Sequence, residues 1–88
     1  KGMIWMPMDK KDQLAELISN AETSFYNGQL QEAFSLSLSA IKLDENCADA
    51  YQCATNVCMS LSRYEDAIEY YQKVQIYIML ITQIEMNL

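Results

Sequence analysis

Apolar residues recur at three- and four-residue spacing in four successive segments, and polar punctuation separates them. The first segment follows Asp9, an expected N-cap with Asp12 three residues on, and carries Leu14, Leu17, Ile18, Ala21 and Phe25. Asn27-Gly28 ends it, since glycine tolerates the positive φ that commonly follows a helix. A helix over about 10–26 is predicted. The second runs from near Gln29 to about Leu43 on Leu30, Ala33, Phe34, Ala40 and Ile41. Ser37 falls among its buried positions, so its hydroxyl is expected to bond a carbonyl one turn earlier. Asp44-Glu45-Asn46 reads as a turn, with Asn46 as the N-cap of a third helix that carries Ala50, Tyr51, Ala54, Val57, Cys58 and Leu61 and stops at Ser62. Ser62-Arg63-Tyr64-Glu65 has the form of a capping box and opens a fourth helix with Tyr64, Ala67, Ile68, Tyr71 and Val74 on one side. No strand is evident. The fold class is all-α, and the short connections make neighbouring helices antiparallel.

The second helix pair copies the first. One constant interval relates Ala67 to Ala33, Ile68 to Phe34, Tyr64 to Leu30, Val74 to Ala40, Tyr51 to Leu17 and Thr55 to Ala21. That interval is about 34 residues, the period of the tetratricopeptide repeat, a helix-turn-helix unit. Residue by residue, the chain resembles that family. Leu17 and Tyr51 take its early large position, and Ala21 and Thr55 its small one. Gly28 takes its turn glycine, replaced by Ser62 in the second copy. Ala33 and Ala67, Ser37 and Tyr71, and Ala40 and Val74 follow in its second helix, and YEDAIEYYQK at 64–73 is close to its consensus. LDEN at 43–46 resembles the family's LDPN with Glu45 for proline. The first copy departs at Asn20, Ser24 and Ser37. Residues 14–47 and 48–81 thus resemble two repeats within 9–81. The resemblance implies antiparallel helix-turn-helix units in a fragment of a right-handed superhelical solenoid, ending in a capping or extended helix. Tyr71 is expected between helix pairs and Tyr70 on the outer side.

Composition narrows the function. The 88 residues suffice for one small domain with a modest core. Twelve acidic against six basic residues give a net charge of −6, which argues against nucleic acid and anionic membranes and favours a basic or apolar partner segment. There is no histidine, which excludes a Cys/His zinc site or a histidine-based triad within this chain. Three cysteines in no Cys-x-x-Cys pair form no disulfide framework. Cys53 and Cys58 are expected at or near the core and Cys47 in a loop, in a reduced, cytoplasmic setting. No cofactor or metal is implied. Neither KGMIWMPM at the start nor IYIMLI at 76–81 is long enough to span a bilayer. Lys1 is not a start methionine, so the chain reads as a processed or excised piece.

The resemblance also implies a partner-binding groove lined by the first helix of each pair. It places Ala15, Ile18, Glu22 and Phe25 there from the first copy, and Asp49, Gln52, Asn56 and Met59 from the second. Gln52 and Asn56 can bond an extended peptide backbone, while Ile18, Phe25 and Met59 can accept apolar side chains. One subgroup of the family grips a chaperone's C-terminal carboxylate with Lys, Arg and Asn in this groove. Those residues are not in the required pattern here. Glu65, Asp66 and Glu69 belong to a helix start and a solvated face rather than to an acid–base pair. No activated nucleophile, phosphate loop or metal constellation is present, so an enzyme is not expected.

After Val74 the repeat pattern fails. On a helix, Ile76, Leu80, Ile84 and Leu88 form one stripe with Tyr77 and Ile81 beside it, on a different face from Ala67, Tyr71 and Val74. Either the chain breaks near Gln75, or one long helix has two apolar sides. Residues 76–88 then act as a folded-back cap, as a dimerisation surface, or as a face for a further array or partner. Ile4-Trp5-Met6, within the apolar tail 1–8, is a second sticky segment. The expected function is a non-enzymatic protein–protein interaction module, a tetratricopeptide-type scaffold, adaptor or co-chaperone that captures a partner peptide or helix. The alternative is a self-association element dimerising through the C-terminal helix.

Overall fold

A computed structural model describes residues 9–86, in which every regular element is an α-helix. They are α1 (Lys10–Tyr26), α2 (Leu30–Leu43), α3 (Ala48–Ser60) and α4 (Tyr64–Met86). The expectations at Ile4-Trp5-Met6 and at Leu88 lie outside the described residues. Asp9 caps α1 as predicted, its carboxylate accepting from the Asp12 amide at 2.9 Å. α1 packs on α2, α2 on α3 and α3 on α4, while α1 also touches α3 and stays clear of α4. The helices therefore form an open row rather than a closed four-helix bundle. The row is 52 × 39 × 19 Å, so its thin dimension is about two helix diameters of about 10 Å.

Small side chains hold it together. Ala33, Ala40, Ala50 and Ala54 have no exposed surface, and the largest fully buried side chains are Val57, Cys58 and Ser37. Alanine lets two helices approach closely enough for backbone and Cβ atoms to make the contact. Two hydroxyls share this seam and are satisfied on their own helix. Ser37 Oγ donates to the Ala33 carbonyl at 2.8 Å, as expected, and Thr55 Oγ1 does the same to the Tyr51 carbonyl at 2.8 Å.

The turn after α1 and the turn after α3 have one geometry. The Gln29 amide donates to the Ser24 carbonyl at 2.8 Å and Gly28 to Phe25 at 3.1 Å. One repeat later, Arg63 donates to Cys58 at 2.8 Å and Ser62 to Met59 at 3.1 Å. Both are Schellman closures, with Gly28 at φ 81° and Ser62 at φ 62°. This corrects the capping-box reading of 62–65. Ser62 closes α3 in the left-handed region, and Arg63 takes the N-cap position of α4, its carbonyl accepting from the Ala67 amide at 3.0 Å. The N-cap of α3 likewise moves from Asn46 to Cys47, whose carbonyl accepts from the Tyr51 amide at 3.4 Å, while Asn46 stays in the turn with its backbone amide on the Asp44 carboxylate at 2.9 Å.

The fourth helix corrects two further expectations. Only Ala67 and Val74 of its predicted packed side are buried, while Tyr64, Ile68 and Tyr71 are exposed. Tyr70, expected outside, is half-buried with its ring 6.3 Å from that of Tyr51. Among the described helices α4 packs on α3 alone, so its far side is left uncovered. It does not break near Gln75 but continues to Met86, and its 23 residues overrun the 13 of α3. Arg63 ties the row together at the surface, its guanidinium 4.7 Å over the Phe34 ring and 2.9 Å from Asp66.

The left-handed serine predicts a simple reversal. Ser62→Gly should stabilise the fold by about 0.5–1 kcal/mol, since a β-carbon is disfavoured at positive φ. Gly28→Ala should cost about 1 kcal/mol for the same reason, although open space surrounds the added Cβ. Urea midpoints of the two variants would shift in opposite directions; equal shifts would refute the equivalence of the turns.

Candidate functional site

α3 occupies the middle of the open row, and its exposed edge is the centre of the candidate surface. That edge follows from its sequence. Ala50, Cys53, Ala54 and Val57 recur at helical spacing on the buried side, which leaves Asn56 and Met59 outside and Gln52 half-exposed. Gln52 Nε2 donates to Asn56 Oδ1 at 3.2 Å, so the two amides form a braced ridge one turn long.

A hollow lies on each side of this ridge. Toward α1, Glu22, Phe25, Cys53 and Val57 border a small one of about 60 Å³. Toward α4, Thr55, Met59, Ile68 and Tyr71 border a larger, mainly apolar one of about 400 Å³. The structure brings together Glu22, Phe25, Gln52 and Asn56 of the predicted groove on the α1 side, and Gln52, Asn56 and Met59 on the α4 side. Ile18 and Asp49 line neither of these two hollows.

Sequence pattern conceals the larger hollow, because Ile68 and Tyr71 read as packed positions. The signal lies in the repeat itself, where Tyr71 replaces Ser37 and Ile68 replaces Phe34. Large side chains at positions that need a neighbouring helix to cover them mark a face left open in the second pair. Farther along α4, Ile76, Leu80, Ile81 and Ile84 are each more than half exposed, and Ile76 and Leu80 border a hollow shared with Glu45 and Lys73. Tyr77 is half-buried beside them.

No family model, curated protein or solved structure matches this chain.

The ridge and its larger hollow are built from neutral side chains, which suits recognition by shape and hydrogen bonding. Among the described residues no group of three or more Cys, Asp and Glu could hold a metal ion, and no helix is long and apolar enough to cross a membrane. The three cysteines are free, with Cys53 and Cys58 buried and Cys47 half-buried at the start of α3. Burial first, and then the Glu22 and Asp49 carboxylates, push the Cys53 thiol from 9.0 up to about 11. Burial also raises Cys58, against an opposing pull from Arg63. Tyr51 is raised by burial and by Glu45, toward whose carbonyl its hydroxyl donates at 2.8 Å.

These shifts set the chemistry of the thiols. Protonated, buried thiols are poor nucleophiles. Iodoacetamide at neutral pH should modify Cys47 first, and Cys53 and Cys58 only as the chain opens. Below pH 9.0 the Cys53 thiol is protonated in both the folded and the unfolded chain. Between 9.0 and about 11 the unfolded chain sheds its proton first, so stability falls as pH rises through that window. Urea midpoints measured across it should decline, and less so in Cys53→Ala; an unchanged slope in that variant would place the titration elsewhere.

Proposed function

We propose that the chain is a tetratricopeptide-type, non-enzymatic interaction module, a scaffold or adaptor that captures a partner peptide or helix along α3. The observation that carries this reading is one turn geometry recurring at the repeat interval, with matching hydrogen-bond lengths, in an open row of helices. The open row supports a solenoid fragment, because each helix packs on its sequence neighbours and α1 and α4 stay apart. Such a row presents its central helix to solvent in a preformed shape, which lowers the ordering cost of binding. Gln52 and Asn56 would exchange their mutual bond for bonds to a partner backbone. Phe25 and Met59 would take apolar side chains on either side.

Charge selects among partners. A net charge of −6, with Glu22 bordering the α1-side hollow, favours a basic or apolar segment over nucleic acid. None of Ile18, Glu22, Phe25, Asp49, Gln52, Asn56 and Met59 is basic, so a co-chaperone role through a carboxylate clamp finds no support in this surface. Free thiols suit the reduced cytoplasm.

One observation favours a second reading. Ile76, Leu80, Ile81 and Ile84 are more than half exposed on the end of α4, and burying them against a second copy would make the chain a self-association element.

Two double substitutions separate the readings. Gln52→Ala with Asn56→Ala should weaken capture from an array of basic and apolar peptides by roughly tenfold, the effect of about 1.4 kcal/mol, and leave the mass in light scattering unchanged. Leu80→Glu with Ile84→Glu should lower the mass and leave capture alone. If neither pair changes either readout, both readings fail.

A further inference from the structure

The two helix pairs present the same groove, and one of the two grooves is filled. In the second pair Thr55, Met59, Ile68 and Tyr71 line the 400 Å³ hollow between α3 and α4. The equivalent positions one repeat earlier are Ala21, Phe25, Phe34 and Ser37, between α1 and α2. That groove is covered by α3, which packs against both helices. The consequence appears in exposure. Ser37 is 1% exposed and its counterpart Tyr71 44%; Phe34 is half-buried and Ile68 58% exposed; Phe25 is half-buried and Met59 53% exposed.

The covering helix shows what such a groove accepts. α3 turns Cys53 and Val57 toward Ala21 and Phe25 of α1, and by helical spacing Ala50 and Ala54 lie on the same buried side. No side chain in that stripe is larger than valine. The second groove asks for a similarly small stripe: Thr55 for Ala21 and Tyr71 for Ser37 add more bulk to its lining than Met59 for Phe25 and Ile68 for Phe34 remove.

Neither α1, the outer stripe of α2 (Ser35, Leu38, Ser39 and Lys42, with residues larger than valine) nor the end of α4 meets that requirement. On α1 the corresponding stripe is Glu16, Ser19, Asn20 and Thr23, all exposed and hydrophilic, so a second copy stacked head-to-tail would bring a polar face to an apolar groove. The overrunning end of α4 carries Ile78, Met79 and Ile81, which are too large for close approach. The stripe of α3 is already buried in its own chain.

We infer that the groove between α3 and α4 is the docking seat for an amphipathic helix of a partner protein that presents small residues, Ala, Ser, Cys or Gly and at most Val, at i, i+3, i+4 and i+7. The partner helix lies along Ile68 and Tyr71 as α3 lies along Phe34 and Ser37. This seat shares Gln52, Asn56 and Met59 with the proposed capture ridge and differs from it at Ile68 and Tyr71, which belong to the α4 side alone.

The probe is a peptide with the sequence of residues 47–61, its cysteines replaced by alanine. A lactam brace between positions 56 and 60 keeps it helical, since isolated helices of this length are marginal in water. It is titrated into the ¹⁵N-labelled 88-residue protein at about 0.15 M salt, where the screening length is about 8 Å and the net acidity of both partners is damped. Amide shifts should saturate at Thr55, Met59, Ile68 and Tyr71. They should need roughly tenfold more peptide in a folded Ile68→Glu, Tyr71→Glu variant, and should vanish for a peptide carrying leucine at positions 50 and 54. Four results would overturn the seat: no saturable shift, shifts confined to Ile18 and Glu22, shifts confined to residues 76–84, or equal binding by the leucine peptide. Shifts reproduced by concentrating the protein alone would make a second copy the occupant, also against the proposal. The two ideas are told apart at Ile68 and Tyr71, which line the α4-side hollow alone: probe shifts there without capture from the peptide array would sink the capture reading only, and capture without those shifts would sink this seat only.

Discussion

Close approach of helices across alanine is the constraint from which the rest of the structure follows. Where Ala33, Ala40, Ala50 and Ala54 meet neighbouring helices there is no room for a larger side chain, and nothing bigger than valine is fully buried. Each such contact removes little apolar area from water, so its strength comes from dense packing over a long seam. Ser37 and Thr55, buried along this seam, turn their hydroxyls back to their own helices. Tyr51 is the large side chain that enters it, 6% exposed with its hydroxyl on the Glu45 carbonyl. Tyr71, Ile68, Met59 and the isoleucines of α4 lie on flanks that no described helix covers.

Much of this was legible in the sequence, for local reasons. Asp9 and Asn27-Gly28 bracket α1 because a carboxylate at an N-cap and a glycine past a helix end each satisfy backbone groups within a few residues. The small residues recurring at the repeat interval fix where the pairs touch, and the back-bond of Ser37 followed from its place in that stripe. What stayed hidden was competition between two local solutions. Ser-x-x-Glu at 62–65 suits an N-cap, yet the same serine was needed one step earlier to close α3. Asn46 suits an N-cap too, but it belongs to the turn that Asp44 closes on its backbone amide, and α3 starts one residue later.

The candidate surface was harder to read, for a different reason. Exposure on a helical row depends on what lies alongside, and periodicity does not report that. Tyr70 and Tyr71 are adjacent in sequence and about 100° apart on the helix, so choosing which one packs requires knowing that, among the described helices, α4 packs on α3 and no other. The polar ridge of Gln52 and Asn56 was visible because amides at i and i+4 share a face. The apolar hollow beside it was not, because Ile68 and Tyr71 carry the pattern of a core while lacking the helix that would make them one.

The length of α4 completes the argument. After Gly28 the chain contains neither glycine nor proline, so no residue forces α4 to stop where α3 stops. At about 1.5 Å per residue its 23 residues span about 34 Å against about 20 Å for α3. Beyond the overlap, Ile78, Met79, Leu80, Ile81 and Ile84 point in every direction, and no described helix lies alongside to bury them. At the opposite end α1 shows Glu16, Ser19, Asn20 and Thr23 to solvent. Among the described residues the row is therefore polarised, polar on the outer face of α1 and apolar on the outer face of α4. Joining two copies end to end would set a polar face against an apolar one. The seat proposed on the α4 side thus asks for a chemistry that the α1 side does not supply.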